Sequence, residues 1–297
     1  MMSAPRFSVI IPTRGRPHQL AACLESLAGL RYPPDRFEVL VVRDGPARES
    51  APIGRGSVRR LSVSWHEAPR GGPSRARNFG LERAGAELVA FTDDDCRPRP
   101  DWLERLAQAL ALQPDRAVGG AIVNGVPEAL CACASQLLLD AFMRRQNAGA
   151  AGARFLSSSN LALPAELLRA AGSFDPRFDD AAGEDRELCA RLRDRGVPLT
   201  FVPDAVVEHH PELSLAGFLR QQERYGRAAR RLRRLRVRSG REPIPWQPPR
   251  WADLLRGLRP EARGGRALLI AALIAAGQAA LAAGYAREIV TGRDSPA

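Results

Sequence analysis

Lysine is absent from this chain. All 44 basic residues are arginine, set against 33 acids, which leaves a formal charge of +11. Cysteine is scarce, with five residues (Cys23, Cys96, Cys131, Cys133 and Cys189) in an odd and scattered set. Cys131 and Cys133 stand too close for the usual zinc pair and no second pair accompanies them, which argues against a zinc ribbon. Buried, reduced thiols are the expectation. Met1 to Pro5 lack a charged segment leading into a long apolar one, so no signal peptide is expected.

The excess positive charge is also absent from most of the chain. Between Arg220 and Arg241 ten arginines meet one acid, Glu223, and from Glu242 to the end seven meet five. Residues 1–219 therefore balance, with 27 arginines and 27 acids. A neutral body with a basic tail argues against nucleic acid as a partner, because phosphate binding needs the charge on the binding surface itself.

What is present reads as an ordinary globular protein, 45% hydrophobic and 26% charged over 297 residues. That length can bury a full core in one domain with an appendage. Apolar runs at Phe7–Thr13, Phe37–Val42, Leu61–Trp65, Ala86–Thr92, Ala117–Val123, Leu199–Val202 and Ala205–Val207 predict strands. Helical spacing appears at Leu20, Cys23, Leu24 and Leu27, over Arg75–Ala84, Leu103–Leu112 and Ala165–Ala171, and at Leu188, Cys189 and Leu192. Residues 127–153 predict helix and loop. The alternation predicts an α/β fold, a mostly parallel sheet flanked by helices, whose ligands bind beyond the carboxyl ends of the strands.

Two such strand ends are acidic. Asp44 follows one, and Asp93-Asp94-Asp95 follows another, where Pro98 and Pro100 stop an interior strand. In an extended chain Asp93 and Asp95 share a face and Asp94 points away. Paired carboxylates of this kind suit Mg²⁺ or Mn²⁺ with a phosphate substrate, while an isolated triplet also suits a solvated turn or a cap before Trp102.

Taken in order, Phe7–Thr13, Val41–Gly45, Gly72–Gly80 with Ala76-Arg77-Asn78, Phe91–Asp95, Gly172–Phe178, Glu184–Gly196 and Val206–His210 resemble a family-2 glycosyltransferase of the GT-A fold. The resemblance covers about residues 6–225. It implies a Rossmann-like sheet, a nucleotide-sugar donor and a divalent metal, Mn²⁺ or Mg²⁺. It assigns the donor to Thr13, Arg14, Asp44, Arg77, Asp93 and Asp94, and the metal to Asp95 with one of His209 and His210, His209 being preferred. Asp185 is implied as the catalytic base, with Asn160, Glu184, Gln221, Arg224 and Tyr225 as acceptor or accessory residues. Gln221-Gln222-Glu223-Arg224-Tyr225 carries Tyr where the family has Trp, Pro46 replaces a frequent Ser, and Ser159 stands where Gly is common. The Tyr, with no long multi-span region, argues against processive polymer synthesis.

The residues themselves leave alternatives. Asp185 at a helix N-terminus is either a base, expected ionised near neutral pH by the helix dipole, or an ordinary cap. Arg77 and Asn78 either meet donor phosphate or cap their own helix. In the tail, Arg227–Arg241 predicts a basic helix, and Pro243, Pro245, Pro248 and Pro249 a stiff connector carrying Trp246 and Trp251. Ala267–Ala286 is an uncharged run long enough to cross a membrane or to pack as an Ala-rich helix.

The expected organisation is a catalytic domain over 1–219, an Arg-rich helix and connector over 220–266, and an apolar membrane-associated helix over 267–297. The expected function is inverting transfer from a UDP-sugar to a glycan or lipid-linked hydroxyl in cell-envelope synthesis. It would proceed at the cytoplasmic face of an anionic membrane, with the protein peripheral or anchored by its last helix. The rivals are a nucleotidyltransferase releasing pyrophosphate and a non-enzymatic membrane or nucleic-acid binder.

Overall fold

The computed structural model describes residues 7–46, 60–147, 152–180, 182–244, 253–254 and 265–291. Pro245, Trp246, Pro248, Pro249 and Trp251 of the expected connector lie outside them. The chain divides into two compact units, Met1–Gly125 with Gln146–His210, and Val126–Arg145 with Pro211–Ala297.

The first unit is an α/β fold. Its strands are β1 (Phe7–Thr13), β2 (Phe37–Asp44), β3 (Ser62–Ala68), β4 (Leu88–Phe91), β5 (Cys96–Pro98), β6 (Ala117–Asn124), β7 (Leu161–Pro164) and β8 (Leu199–His209). They form one sheet in the order β3-β2-β1-β4-β7-β6-β8-β5. Neighbours β3, β2, β1 and β4 are parallel, as are β6 and β8, while β7 runs antiparallel to β4 and β6, and β5 antiparallel to β8.

Helices cover both faces. Phe7, Val9 and Ile11 of β1 join a buried cluster with Leu20, Cys23, Leu24 and Leu27 of α1 (Pro17–Ala28) and Trp102, Leu103, Leu106 and Leu110 of α3 (Trp102–Leu112). On the opposite face α2 (Gly72–Arg83) rests on Ile10 and Val42, where a Cβ at Gly80 would stand 2.6 Å and 3.1 Å from their methyls. The period-2 alternation of β1 thus feeds two helix layers, which is why its apolar run is unbroken.

Two sequence expectations change. Leu199–Val202 and Ala205–Val207 are one strand, β8, irregular opposite Gly120/Ala121, because a single register shift absorbs Pro203, Asp204 and Ala205. Helix α2 opens at Gly72, inside the expected loop. The helix expected within residues 127–153 is α4 (Leu130–Asn147). None of the five cysteines is in a disulfide, and four of them are buried.

Asn160, in a 3-10 turn before β7, locks the sheet's centre. Its Oδ1 accepts from Trp102 Nε1 at 2.8 Å, and its Nδ2 donates to the carbonyls of Ala121 and Ala205 at 2.9 and 2.8 Å. The remaining helices of this unit are α5 (Ala165–Ala171) and α6 (Glu184–Asp194).

In the second unit α7 (Leu215–Arg238) runs unbroken across position 219/220, and α8 (Gly265–Thr291) packs on it. A Cβ at Gly284 would lie 2.0 Å from the Glu223 carbonyl oxygen, so the backbones touch. Glu288 is buried 3.2 Å from Arg234 and 3.7 Å from Arg231. Phe218, Ile270 and Ile274 complete a core with Cys133, Ala134 and Leu137 of α4.

Asn160→Ala strands one buried donor and two buried carbonyls. Urea denaturation should show a loss of about 2–4 kcal/mol, with nucleotide binding retained by the folded fraction. An unchanged midpoint would contradict this structural role.

Candidate active site

The first unit gathers polar and charged side chains at the carboxyl ends of β1, β2 and β4, with the acids after β2 and β4. Strand β4 ends at Phe91, and residues 93–95 form a turn in which Cys96 N donates to Asp93 O at 3.1 Å. The alternation expected of an extended chain does not apply in a turn, so each carboxylate finds its own partner. Asp93 Oδ1 accepts from Arg77 Nη2 at 2.8 Å. Asp94, fully buried, accepts from Thr13 Oγ1 at 2.7 Å and from Arg16 Nε at 3.3 Å. Asp95 Oδ2 accepts from Arg16 Nη1 and stands 3.5 Å from His209 Nε2. Asp93 and Asp95 still converge, and with Cys96 Sγ they offer three atoms within 4.8 Å of one another.

The charges set distinct protonation states. Burial raises the Asp94 carboxyl to about 6 despite Arg16. Burial also acts on Asp95, but the bond to His209 and the charges of His209 and Arg16 overcome it and hold the carboxyl at about 2. His209 is raised in return by Asp95, against its own burial. His210 turns away from Asp95, its ring against Gly125, where a Cβ would meet Nε2 at 2.2 Å. Its backbone N donates to Asp95 O at 2.8 Å, which fixes the acidic turn to the end of β8.

Arg77 is neither a cap nor free for phosphate. Buried under α2, it donates through Nη1 to Glu184 Oε1 at 2.9 Å while holding Asp93 with Nη2. Its guanidinium lies 5.4 Å from the Phe174 ring centre. Asn78 exchanges hydrogen bonds with the Phe174 backbone, N–H to Oδ1 at 2.9 Å and Nδ2 to O at 2.8 Å. Arg77 therefore joins the acidic turn to the start of α6.

Helix α6 is capped by Gly183 at φ 86°, and Asp185 Oδ1 accepts from Arg186 N at 2.7 Å. Burial and the charge of Glu184 raise Asp185 to about 7, so the helix dipole does not keep it fully ionised at neutral pH as the sequence suggests. Glu184 is itself raised by burial, with Arg77 acting against the shift.

Asp44 lies at the end of β2. Its Oδ1 accepts from the backbone N of Gly71 and Gly72 at 2.7 and 3.0 Å, and Arg14 stands 3.8 Å from Oδ2. Gly72 adopts φ 82° beneath the Asp179 carbonyl, where a Cβ would stand 1.8 Å away, so only glycine serves that turn.

Thr13, Asp94, Asp95 and His209 are thus joined through the guanidinium of Arg16, and Asp93 and Glu184 through that of Arg77. Asn160 is spent on the core, and Gln221, Arg224 and Tyr225 belong to α7 of the second unit, where Gln221 Oε1 accepts from Ser135 Oγ at 3.0 Å. Arg16 was visible in the sequence only as part of a polar turn. Its place directly after a strand end and before Pro17 was the available signal. The donor set fits a divalent cation. Asp93, Asp94, Asp95 and Glu184 bring four carboxylates against the two guanidinium groups of Arg16 and Arg77, and the converging oxygens are hard ligands.

The glycosyl transferase family 2 profile matches residues 8–169. The chain belongs to that family. A glycosyltransferase, AglE, from Haloferax volcanii is 28% identical over 230 residues, covering 75% of this chain and 72% of that protein. The pre-mycofactocin glycosyltransferase of Mycobacterium tuberculosis is 30% identical over 232 residues, 75% of this chain but 46% of its own length. Against the mycobacterial relative, the match thus spans about half of that protein.

Among solved structures, the mannosyltransferase PcManGT of Pyrobaculum calidifontis, in complex with GDP-Man and Mn²⁺, superposes with a TM-score of 0.60 at 21% identity, over 98% of this chain and 80% of that one. A Staphylococcus aureus TarS fragment gives 0.57 at 18% identity, over 97% and 91%. These likenesses establish the GT-A fold of the family-2 glycosyltransferases.

Arg77→Met keeps the stem and removes the charge from two buried or half-buried carboxylates. The expected loss is about 3–5 kcal/mol, read from the denaturant midpoint. A variant as stable as the parent would show that the Asp93–Arg77–Glu184 link is not formed.

Proposed function

We propose that this chain is an inverting glycosyltransferase moving a sugar from a nucleotide-diphosphate sugar, a UDP-sugar in the first instance, to an acceptor hydroxyl. The observation that carries the proposal is a pair of carboxylates with opposite environments. Asp95 is held at about 2 beside Asp93, and Asp185 is raised to about 7 at the start of α6. Groups whose pKa values are pushed apart divide into permanent charge and proton carrier.

Asp93 and Asp95, with His209, would hold Mn²⁺ or Mg²⁺, which when bound neutralises the charge left on the departing nucleoside diphosphate. Thr13, Arg14, Asp44 and Asp94 line the strand ends where the nucleotide would sit. Asp185 takes the acceptor hydroxyl's proton as oxygen bonds to the anomeric carbon, while the sugar–phosphate electron pair leaves on the diphosphate. A base acting at the face opposite the leaving group inverts that carbon. Glu184 and Arg77 position Asp185 against the acidic turn.

The second unit suggests where the acceptor is met. Helix α8 is long and apolar enough to cross a membrane, yet it is packed on α7, whose arginines would be carried into the hydrocarbon with it. A peripheral seat on the cytoplasmic face of an anionic membrane fits both helices, and a glycan or lipid-linked acceptor of cell-envelope synthesis fits that seat.

A panel of nucleotide-sugars with Mn²⁺ should release nucleoside diphosphate. Pyrophosphate release would overturn the reading. Turnover should rise with pH and level off above about 7, since a raised Asp185 is a competent base only once ionised. Asp185→Asn still accepts from Arg186 N, so melting should stay near that of the parent while turnover falls roughly 10²–10⁴-fold. Normal turnover would exclude Asp185 as the base. Full-length protein should sediment with anionic vesicles in low salt and be released by high salt, and protein left in the supernatant would remove the membrane from the account.

A further inference from the structure

Arg16 occupies the acidic site as a cation would. Its guanidinium forks between two carboxylates, Nη1 to Asp95 Oδ2 at 2.5 Å, and Nε to Asp94 Oδ2 at 3.3 Å with Nη2 on Asp94 Oδ1. Asp94 and Asp95 are 0% and 10% exposed as side chains, whereas Arg16 is 45% exposed. The arginine therefore reaches in from solvent over acids that cannot leave. Its backbone is fixed, because Arg16 O accepts from Leu20 N at 3.0 Å as the first hydrogen bond of α1, and Pro17 follows. Release of the acids needs rotation of one side chain and no movement of a loop.

Asp95 Oδ2 is already shared by Arg16 and His209, so a metal ion approaching that oxygen meets a fixed positive charge. Repulsion from a guanidinium within a few ångströms weakens binding of a divalent ion to the same carboxylate. A nucleoside diphosphate changes this balance, since a guanidinium that leaves a carboxylate finds in phosphate an equally good bidentate acceptor.

We infer that Arg16 is a built-in counter-cation that holds Asp95 until a metal ion and a diphosphate arrive together, and that it then transfers to the diphosphate. Arg16 is thus a positioning residue that makes metal binding depend on the nucleotide. The inference rests on the reading of Asp93 and Asp95 as metal ligands. It predicts that the metal alone binds weakly, and that nucleotide and metal strengthen one another through one side chain.

The test is Mn²⁺ binding to full-length protein, read by the paramagnetic resonance signal of free Mn²⁺, with and without UDP and with no sugar transfer involved. The parent should bind Mn²⁺ at least tenfold more tightly when UDP is present. Arg16→Gln should bind Mn²⁺ alone at least tenfold more tightly than the parent and lose most of the gain from UDP. Arg16→Gln leaves Asp94 buried without its cation. The double variant Arg16→Gln/Asp94→Asn removes both charges and should show the same tightening if the single variant does not fold. Equal Mn²⁺ affinity in parent and variants, with UDP still enhancing it, would overturn the role of Arg16 and leave the metal site standing. No Mn²⁺ binding by any form with UDP present would overturn the metal reading and this inference with it.

Discussion

The first unit depends on packing four carboxylates, three of them buried, beside two guanidinium groups. Asp93, Asp94, Asp95 and Glu184 stand at strand and helix ends where water is partly excluded; Arg16 bridges Asp94 to Asp95, and Arg77 bridges Asp93 to Glu184. Removing either partner of a buried pair leaves an expensive isolated charge, so the arrangement holds as a unit or not at all. It also remains short of positive charge, and that deficit is what gives a divalent ion and a substrate a reason to bind.

From that one constraint the division of labour follows. Against its burial, His209 and Arg16 draw Asp95 down, while burial and the neighbouring Glu184 push Asp185 up. A carboxylate held well below neutrality suits charge compensation, and one balanced near neutrality suits proton transfer. Arg77 ties the two regions through one salt bridge to Asp93 and another to Glu184, so the acidic turn and the start of α6 are held together by one residue on α2.

Much of this was legible in the sequence. Unbroken apolar runs gave β1, β2 and β4, helical spacing gave α1, α3 and α6, and acids at two strand ends marked the site, because each of these signals is local. The misses come from contacts that local pattern cannot see. The alternation argument assumed that Asp93–Asp95 stay extended, but the chain turns there to meet β5. Arg77 reaches Glu184 across 107 positions, and Arg16 reaches Asp94 across 78. Asn160 is an accessory residue only by the family resemblance, and nothing in the sequence points to its partners in the core. Its amide instead satisfies three buried groups left by the bulge in β8 and by Trp102. The environment of Asp185 likewise depends on what buries it, which the helix position alone does not reveal.

The claim at the centre is that the acidic turn binds a nucleotide diphosphate through a metal ion. Calorimetric titration of UDP into the full chain, with Mn²⁺ and again with a chelator, tests it directly, using Asp95→Asn for comparison. The account predicts heat of binding with Mn²⁺, none with the chelator, and none in the variant under either condition. Equal binding of UDP by parent and variant in the presence of chelator would contradict it.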